Sequence, residues 1–206
     1  MRSSDRRTGK LTSVGLFAAL TFLATFVLKI PTPAFGYVHI GDGFVLMAGF
    51  LLGPVYGGLA AGIGAALSDL LGGYAAWVPG TFLIKFLTAA AAACVLRAFR
   101  KYAEEGLPGS RTTPLRPDTP FHARVGALLT AGIAGETVMT AGYFLYNTFI
   151  VAVMSGRAAD GIAAAAALSA AEIPFNLIQG GIGIVLSLTL YPVLSHAAAH
   201  RRICLF

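Results

Sequence analysis

"GYVHIGDGFVLMAGFLLGP", residues 36–54, sets His39 and Asp42 at the mouth of an apolar run that Gly53-Pro54 ends after about a dozen residues. Proline removes a backbone donor and disfavours helical geometry in the residue before it, so the run predicts a helix too short to cross a bilayer alone. A histidine and a carboxylate at the head of such a helix need water or a built polar site. Hydrophobic residues make up 56% of the 206-residue chain and charged ones only 12%, with a mean hydropathy of +0.75. One soluble core cannot hide that much apolar surface, and the chain reads as an integral membrane protein.

Working outward, six apolar segments are predicted at 11–29, 42–54, 55–73, 79–97, 123–152 and 161–194, an all-α fold of six transmembrane helices in a single membrane domain over 1–206. The basic start "MRSSDRRTGK" resembles a signal peptide, but no small-x-small cleavage site precedes Lys29, so a retained first span is expected. Residues 98–122, rich in Pro, Arg and Thr, are expected to form a cytoplasmic loop and not a second domain. Arg2, Arg6, Arg7, Lys10, Arg97, Arg100, Lys101, Arg111, Arg116, Arg124, Arg201 and Arg202 then share one side, leaving Lys29 and Arg157 on the other. That asymmetry places both termini in the cytoplasm and residues 36–42 on the outer face of the plasma membrane. The net charge of +6 is thereby a matter of topology, with no nucleic-acid partner implied. Cys94 and Cys204 show neither metal-ligand spacing nor a disulfide framework, and no metal site is expected.

A charge inside a span costs at least about 2.5 kcal/mol, which makes Asp42, Asp69, Lys85, Glu136 and Glu172 functional candidates. Tyr143 and Asn147 lie one turn apart, and Asn176 and Gln179 follow Glu172 beyond Pro174. Counted from the span ends, these groups converge in the outer half of the membrane, where the loop adds Tyr37 and His39. The pattern predicts a cavity open to the outside, walled by Tyr74, Trp77, Tyr143, Tyr146 and Phe175; a channel or proton relay would carry polar groups through the full depth. Lys85 would face Asp69, Glu136 and Glu172 there, an excess of two negative charges that suits a neutral or weakly basic ligand. Structural alternatives stand beside each candidate: Lys85 snorkelling or pairing with Asp69, Glu136 and Glu172 bonding between helices, His39 solvated, Tyr74 and Trp77 as interfacial belt, Asp42 capping its helix. Small residues recur every four positions at Gly49, Gly53, Gly57, Ala61 and Ala65, at Ala60, Gly64, Ser68 and Gly72, and at Gly15 and Ala19, faces on which helices pack closely.

The stretch 36–85, with "GETVMTAGYFLYNTFI" and "AEIPFNLIQGGIGIVLSLTLYPVL" further on, resembles the substrate-binding S components of energy-coupling-factor (ECF) transporters, and among them the group linked to riboflavin or to hydroxymethylpyrimidine and related vitamins. The resemblance covers nearly all of 11–194. It implies a six-helix protein that captures a vitamin outside the cell, closes the 30–42 loop over it, and topples in the membrane onto a transmembrane coupling protein driven by two cytoplasmic ATPases. Gly15, Ala18 and Ala19 would face that coupling protein. The 98–122 loop is long for the family, and Asn147 stands where relatives carry an acid. Joined to the charge count, the resemblance favours hydroxymethylpyrimidine or a vitamin B6-like heterocycle, with riboflavin next and folate behind. The chain has no Gly-x-x-x-x-Gly-Lys-Ser/Thr motif, so ATP would be used by the partners, with no cofactor in this chain and no catalysis. A self-sufficient secondary transporter lacks its inverted repeat here, an intramembrane enzyme lacks a metal or nucleophile motif, and a purely structural partner leaves the buried charges unexplained.

Overall fold

The computed structural model describes residues 3–32, 36–105, 121–154 and 161–200. Helix α1 (Ser3–Val27) leads through a two-residue antiparallel pair, β1 (Ile30–Pro31) and β2 (Tyr37–Val38), into the helical run α2 (Asp42–Leu71). Four helices follow: α3 (Val78–Glu105), α4 (Phe121–Met154), α5 (Ile162–Ala170) and α6 (Ile173–His200). Among the described residues α1, α2, α3, α4 and α6 are long and apolar enough to cross a membrane.

The run α2 is a hairpin. Gly53 has φ 76° and ψ −173°, a left-handed backbone that glycine adopts at little cost, and Pro54 opens the second limb at a position where its missing N–H is harmless. A straight helix would hold residues 48 and 57 about 13 Å apart at 1.5 Å per residue. Here a Cβ on Gly57 would overlap the Ala48 carbonyl oxygen, so the limbs fold back on one another. The second limb runs parallel to α1: the Lys10 ammonium lies 5.4 Å from the centre of the Tyr56 ring, Gly64 abuts the Ala18 carbonyl, and Lys29 Nζ donates to the Ser68 carbonyl at 3.2 Å. Asp42 and Leu71 therefore lie toward one end of the bundle, here termed the loop end, and Gly53 toward the other. The first limb, 42–52, rises about 16 Å, half of a bilayer core of about 30 Å, and residues 28–32 and 36–41 and a cavity occupy the space beyond it.

The apolar core fills the Gly53 half. Leu46, Met47, Phe50, Leu51, Leu96 and Leu128 are buried together there with Phe17, and the Phe50 and Tyr191 rings meet edge-on at 6.1 Å. A Cβ on Gly49 would overlap the Ala89 carbonyl oxygen, so the small-residue face of the first limb lets α3 approach at backbone distance.

Three boundaries differ from the sequence expectation. The 161–194 span is two helices, broken at Ala171–Glu172 because Pro174 has no N–H to bond the Ala170 carbonyl in a continuous helix and serves instead in the first turn of α6. Helix α3 continues to Glu105 through residues expected to be loop, since 97–105 contains neither glycine nor proline. Helix α1 starts before the predicted span, at Ser3. Loop residues 106–120, with Arg2, Arg157, Arg201, Arg202 and Cys204, lie outside the described residues.

Candidate functional site

At the loop end a cavity of about 600 Å³, its open mouth included, lies between the loop and the helices. Tyr37, Val38 and His39 enter from the loop, Thr25 from α1, Asp69 from α2, and Thr81 from α3. Tyr143 and Asn147 enter from α4, and Phe175, Asn176 and Gln179 from α6, with Glu172 just before it. One wall is aromatic: the Tyr37 and Tyr74 rings lie 5.2 Å apart, Tyr74 meets Trp77 edge-on at 6.1 Å, and Lys29 Nζ sits 4.4 Å from the centre of the Tyr37 ring. Trp77 Nε1 donates to Asn147 Oδ1 at 2.9 Å, and the Tyr143 hydroxyl donates to Thr81 at 3.3 Å. The site is thereby tied across α3 and α4.

Both lining carboxylates are engaged by the loop. The Tyr37 hydroxyl donates to Asp69, and the Thr32 hydroxyl lies 2.9 and 2.8 Å from the two Glu172 oxygens. The loop backbone comes close here, since a Cβ on Gly36 would stand 3.1 Å from Glu172 Oε2. Deeper down, the His39 amide donates to Gln179 Oε1 at 3.1 Å, while Gln179 Nε2 donates to Asp42 Oδ2 at 2.6 Å. His39 Nδ1 accepts from the Gly41 amide at 3.0 Å, and burial pushes this imidazole from its usual 6.5 down to about 3. The ring is neutral at physiological pH, with its proton on Nε2. Burial likewise raises the Tyr37 phenol, helped by the Asp69 charge, and lowers the Lys29 ammonium.

Beneath the cavity Lys85 Nζ and Asp42 Oδ1 form an ion pair at 2.5 Å, both side chains wholly buried. The ammonium also lies 5.2 Å from the centre of the Tyr143 ring, which stands between it and the cavity. Two alternatives are thereby corrected: Lys85 pairs with Asp42 and not Asp69, and Asp42 makes no capping bond, because its oxygens are taken by Lys85 and Gln179 while Gly41 occupies the cap position.

Tyr37, His39, Asp69, Trp77, Tyr143, Asn147, Glu172, Asn176 and Gln179 are brought together around the cavity, as expected. Asp42 and Lys85 form its buried foundation, and Glu136 lies apart, in a groove between α4 and α6. Tyr146 braces the site from outside, its hydroxyl donating to the Ala76 carbonyl at 2.8 Å. Sequence reasoning missed Thr25, Thr32, Gly36, Ala65 and Thr81. On α1, Gly15 and Ala19 are exposed, whereas Ala18 is buried against Gly64. Ala18 is thereby corrected from a partner contact to an internal one.

A solved structure described as "Structure and mechanism of the S component of a bacterial ECF transporter" shares this fold, with a TM-score of 0.60 and 23% identity over 92% of this chain and 97% of that one. A curated relative from Pyrococcus woesei, named "Uncharacterized protein in gap 3'region", is 41% identical over 64 residues, 31% of this chain. That match spans 43% of the relative's own length. The family model described as "ECF-type riboflavin transporter, S component" matches residues 6–196. By that match, over nearly the whole length, the chain belongs to the ECF-type riboflavin transporter S component family, whose members are substrate-binding transporter subunits and not enzymes.

Proposed function

We propose that this chain captures an uncharged aromatic heterocycle of vitamin type outside the cell and delivers it, as an S component, to an ATP-driven ECF transporter. The observation that carries this reading is the cavity lining. It combines aromatic faces, the side-chain amides of Asn147, Asn176 and Gln179, a neutral His39 and two carboxylates already bonded by the loop, with no lysine or arginine among the described lining residues. A polyanion meets no cation among those lining residues, since the Lys85 charge is taken by Asp42 below the floor and the Lys29 ammonium is held on the Tyr37 ring and the Ser68 carbonyl. Rings that stack and amides that both donate and accept suit a flat heterocycle bearing hydroxyl or imide groups. The family match puts riboflavin first for testing, and the same lining suits the smaller hydroxymethylpyrimidine or a vitamin B6 form.

In this reading the α2 hairpin supplies two of six membrane crossings and both termini are cytoplasmic, in the plasma membrane of a prokaryote. Lys10, Arg97 and Arg124 then sit at the inner side. The exposed Gly15–Ala19 face of α1 meets the transmembrane coupling protein. Two cytoplasmic ATPases supply the energy, and ligand enters and leaves as the 30–42 loop releases Asp69, Glu172 and Gln179.

Calorimetry on the detergent-purified chain tests this, with riboflavin, hydroxymethylpyrimidine, pyridoxine, thiamine, folate and biotin as ligands. One uncharged heterocycle binds tightly at 1:1, and Trp77→Ala and Glu172→Gln each weaken it about tenfold or more, a loss of about 1.4 kcal/mol. Tightest binding of folate or biotin overturns the charge argument, and no binding of any of the six by a folded, monodisperse chain overturns the vitamin reading.

A further inference from the structure

We infer that the groove between α4 and α6 is a second binding site, for a lipophilic amine that enters it sideways from the bilayer. The groove runs along residues 133–144 of α4 and 173–184 of α6, about 17 Å at 1.5 Å per residue. Ile133, Ala141, Phe144, Leu177 and Ile184 make its walls apolar. At its deeper end stands Glu136, only 6% exposed, and neither carboxylate oxygen has a hydrogen-bond partner. One turn on, the buried Thr140 hydroxyl is also without a partner. Every other buried carboxylate that the ligand reading uses is answered: Asp42 by Lys85 and Gln179, Asp69 by Tyr37, Glu172 by Thr32. Glu136 is the exception, and a buried acceptor left alone is among the most costly features a fold can carry.

The shape of the crevice narrows the occupant. The Glu136 side chain lies so close to α6 that a Cβ on Gly180 would stand 3.1 Å from Oε2, so the two helices touch there. A third helix, 10–12 Å across, cannot enter between them, whereas a single hydrocarbon chain can. An ordinary acyl chain would cover the walls and leave the carboxylate unanswered, and a fatty acid would bring like charge against it. An ammonium brings three donors and the complementary charge, enough for Glu136 and Thr140 together. Beside them Gly181 has nothing within 4 Å of its would-be Cβ, so the crevice is open where the chain would lie. Asn176 borders both groove and cavity, but the groove does not depend on which ligand the cavity takes.

The test uses the full chain in phosphatidylcholine nanodiscs, with dodecylamine, dodecanol and dodecanoate followed by native mass spectrometry and thermal unfolding. Dodecylamine is expected to bind saturably at 1:1, at least tenfold more tightly than dodecanol, with dodecanoate weaker still. Glu136→Gln should bring the amine down to the level of the alcohol, and Gly181→Leu, which meets no overlap, should block all three. Equal binding of the three probes overturns the proposal, since any chain then fills the crevice. So does an amine preference that survives either substitution. The comparison of probes on the unmodified chain decides the matter even where a variant does not fold.

Discussion

In the half of the bundle near Gly53, Phe17, Leu46, Met47, Phe50 and Leu96 close on one another, while at the loop end α2, α4 and α6 hold Asp69, Tyr143, Asn147 and Gln179 against a cavity. The first half has dense apolar packing and backbones in contact at Gly49–Ala89 and Gly57–Ala48. The second has hydrogen bonds from a loop to α2, to α6 and to Glu172 just before α6, each of which can be given up one at a time. Packing and the cavity are thus separated along the bundle, and the Asp42–Lys85 pair lies on the seam. Substitutions on either side of that seam should move different observables.

The largest effect is expected at the seam itself. Lys85→Met leaves Asp42 buried without its cation and should cost about 3–5 kcal/mol of stability, read by unfolding in detergent. Adding Asp42→Leu should recover most of that loss, because an apolar pair replaces an ionic one; a Lys85→Met chain as stable as the parent would remove the seam from the account. Next comes the packed half. Leu46→Ala, at a side chain with no exposure, should cost about 3 kcal/mol and leave ligand affinity unchanged. A large loss of affinity in a still-folded Leu46→Ala chain would show that the halves are coupled.

A pH effect follows on the loop side. Because His39 lies near 3 in the folded chain against 6.5 unfolded, the unfolded chain holds the extra proton between those values. Stability therefore falls as pH falls below 6.5, by about 1.4 kcal/mol per unit and about 2 kcal/mol at pH 5, and is unaffected by this group above 6.5. The groups facing it are Asp42, Lys85 and Lys29. Comparing melting temperatures at pH 7.5 and 5 in the parent and in His39→Gln checks this, with the smaller drop expected in the variant. The smallest effect belongs to Thr32→Val, which removes one loop bond to Glu172: about 1 kcal/mol, roughly fivefold faster ligand release, and the smallest fall in melting temperature of the series.

Much of this division was legible in the chain. The Gly53-Pro54 step announced the short helix, and the hairpin explains it: the first limb starts at Asp42, beneath a cavity that takes up the loop-end part of its path. Spacing along α4 and α6 brought Tyr143, Asn147, Asn176 and Gln179 to one site. Depth was harder. Glu136 is seven residues from Tyr143, two turns and about 10 Å further in, which carries it below the cavity floor and beside Gly180. The partner of Lys85 was not readable either, because Asp42 and Asp69 both lie at the loop end of one hairpin and only the turn at Gly53 decides which faces α3. The threonines were missed for a different reason. Thr12, Thr88, Thr130, Thr137 and Thr148 spend their hydroxyls on carbonyls four residues back, and nothing in the sequence marks Thr25, Thr32 and Thr81 as turning toward the cavity instead.

Trp77 is the one tryptophan in the chain, and it lines the cavity with its indole held by Asn147. The most direct measurement is therefore a titration of riboflavin into the purified chain, reading Trp77 emission corrected for the ligand's own absorption, alongside calorimetry. The account predicts a saturable change in Trp77 emission with the same midpoint and 1:1 stoichiometry as the heat, weakened about tenfold in Asp69→Asn. Tight binding by calorimetry with Trp77 emission unmoved would place the ligand elsewhere and contradict the account.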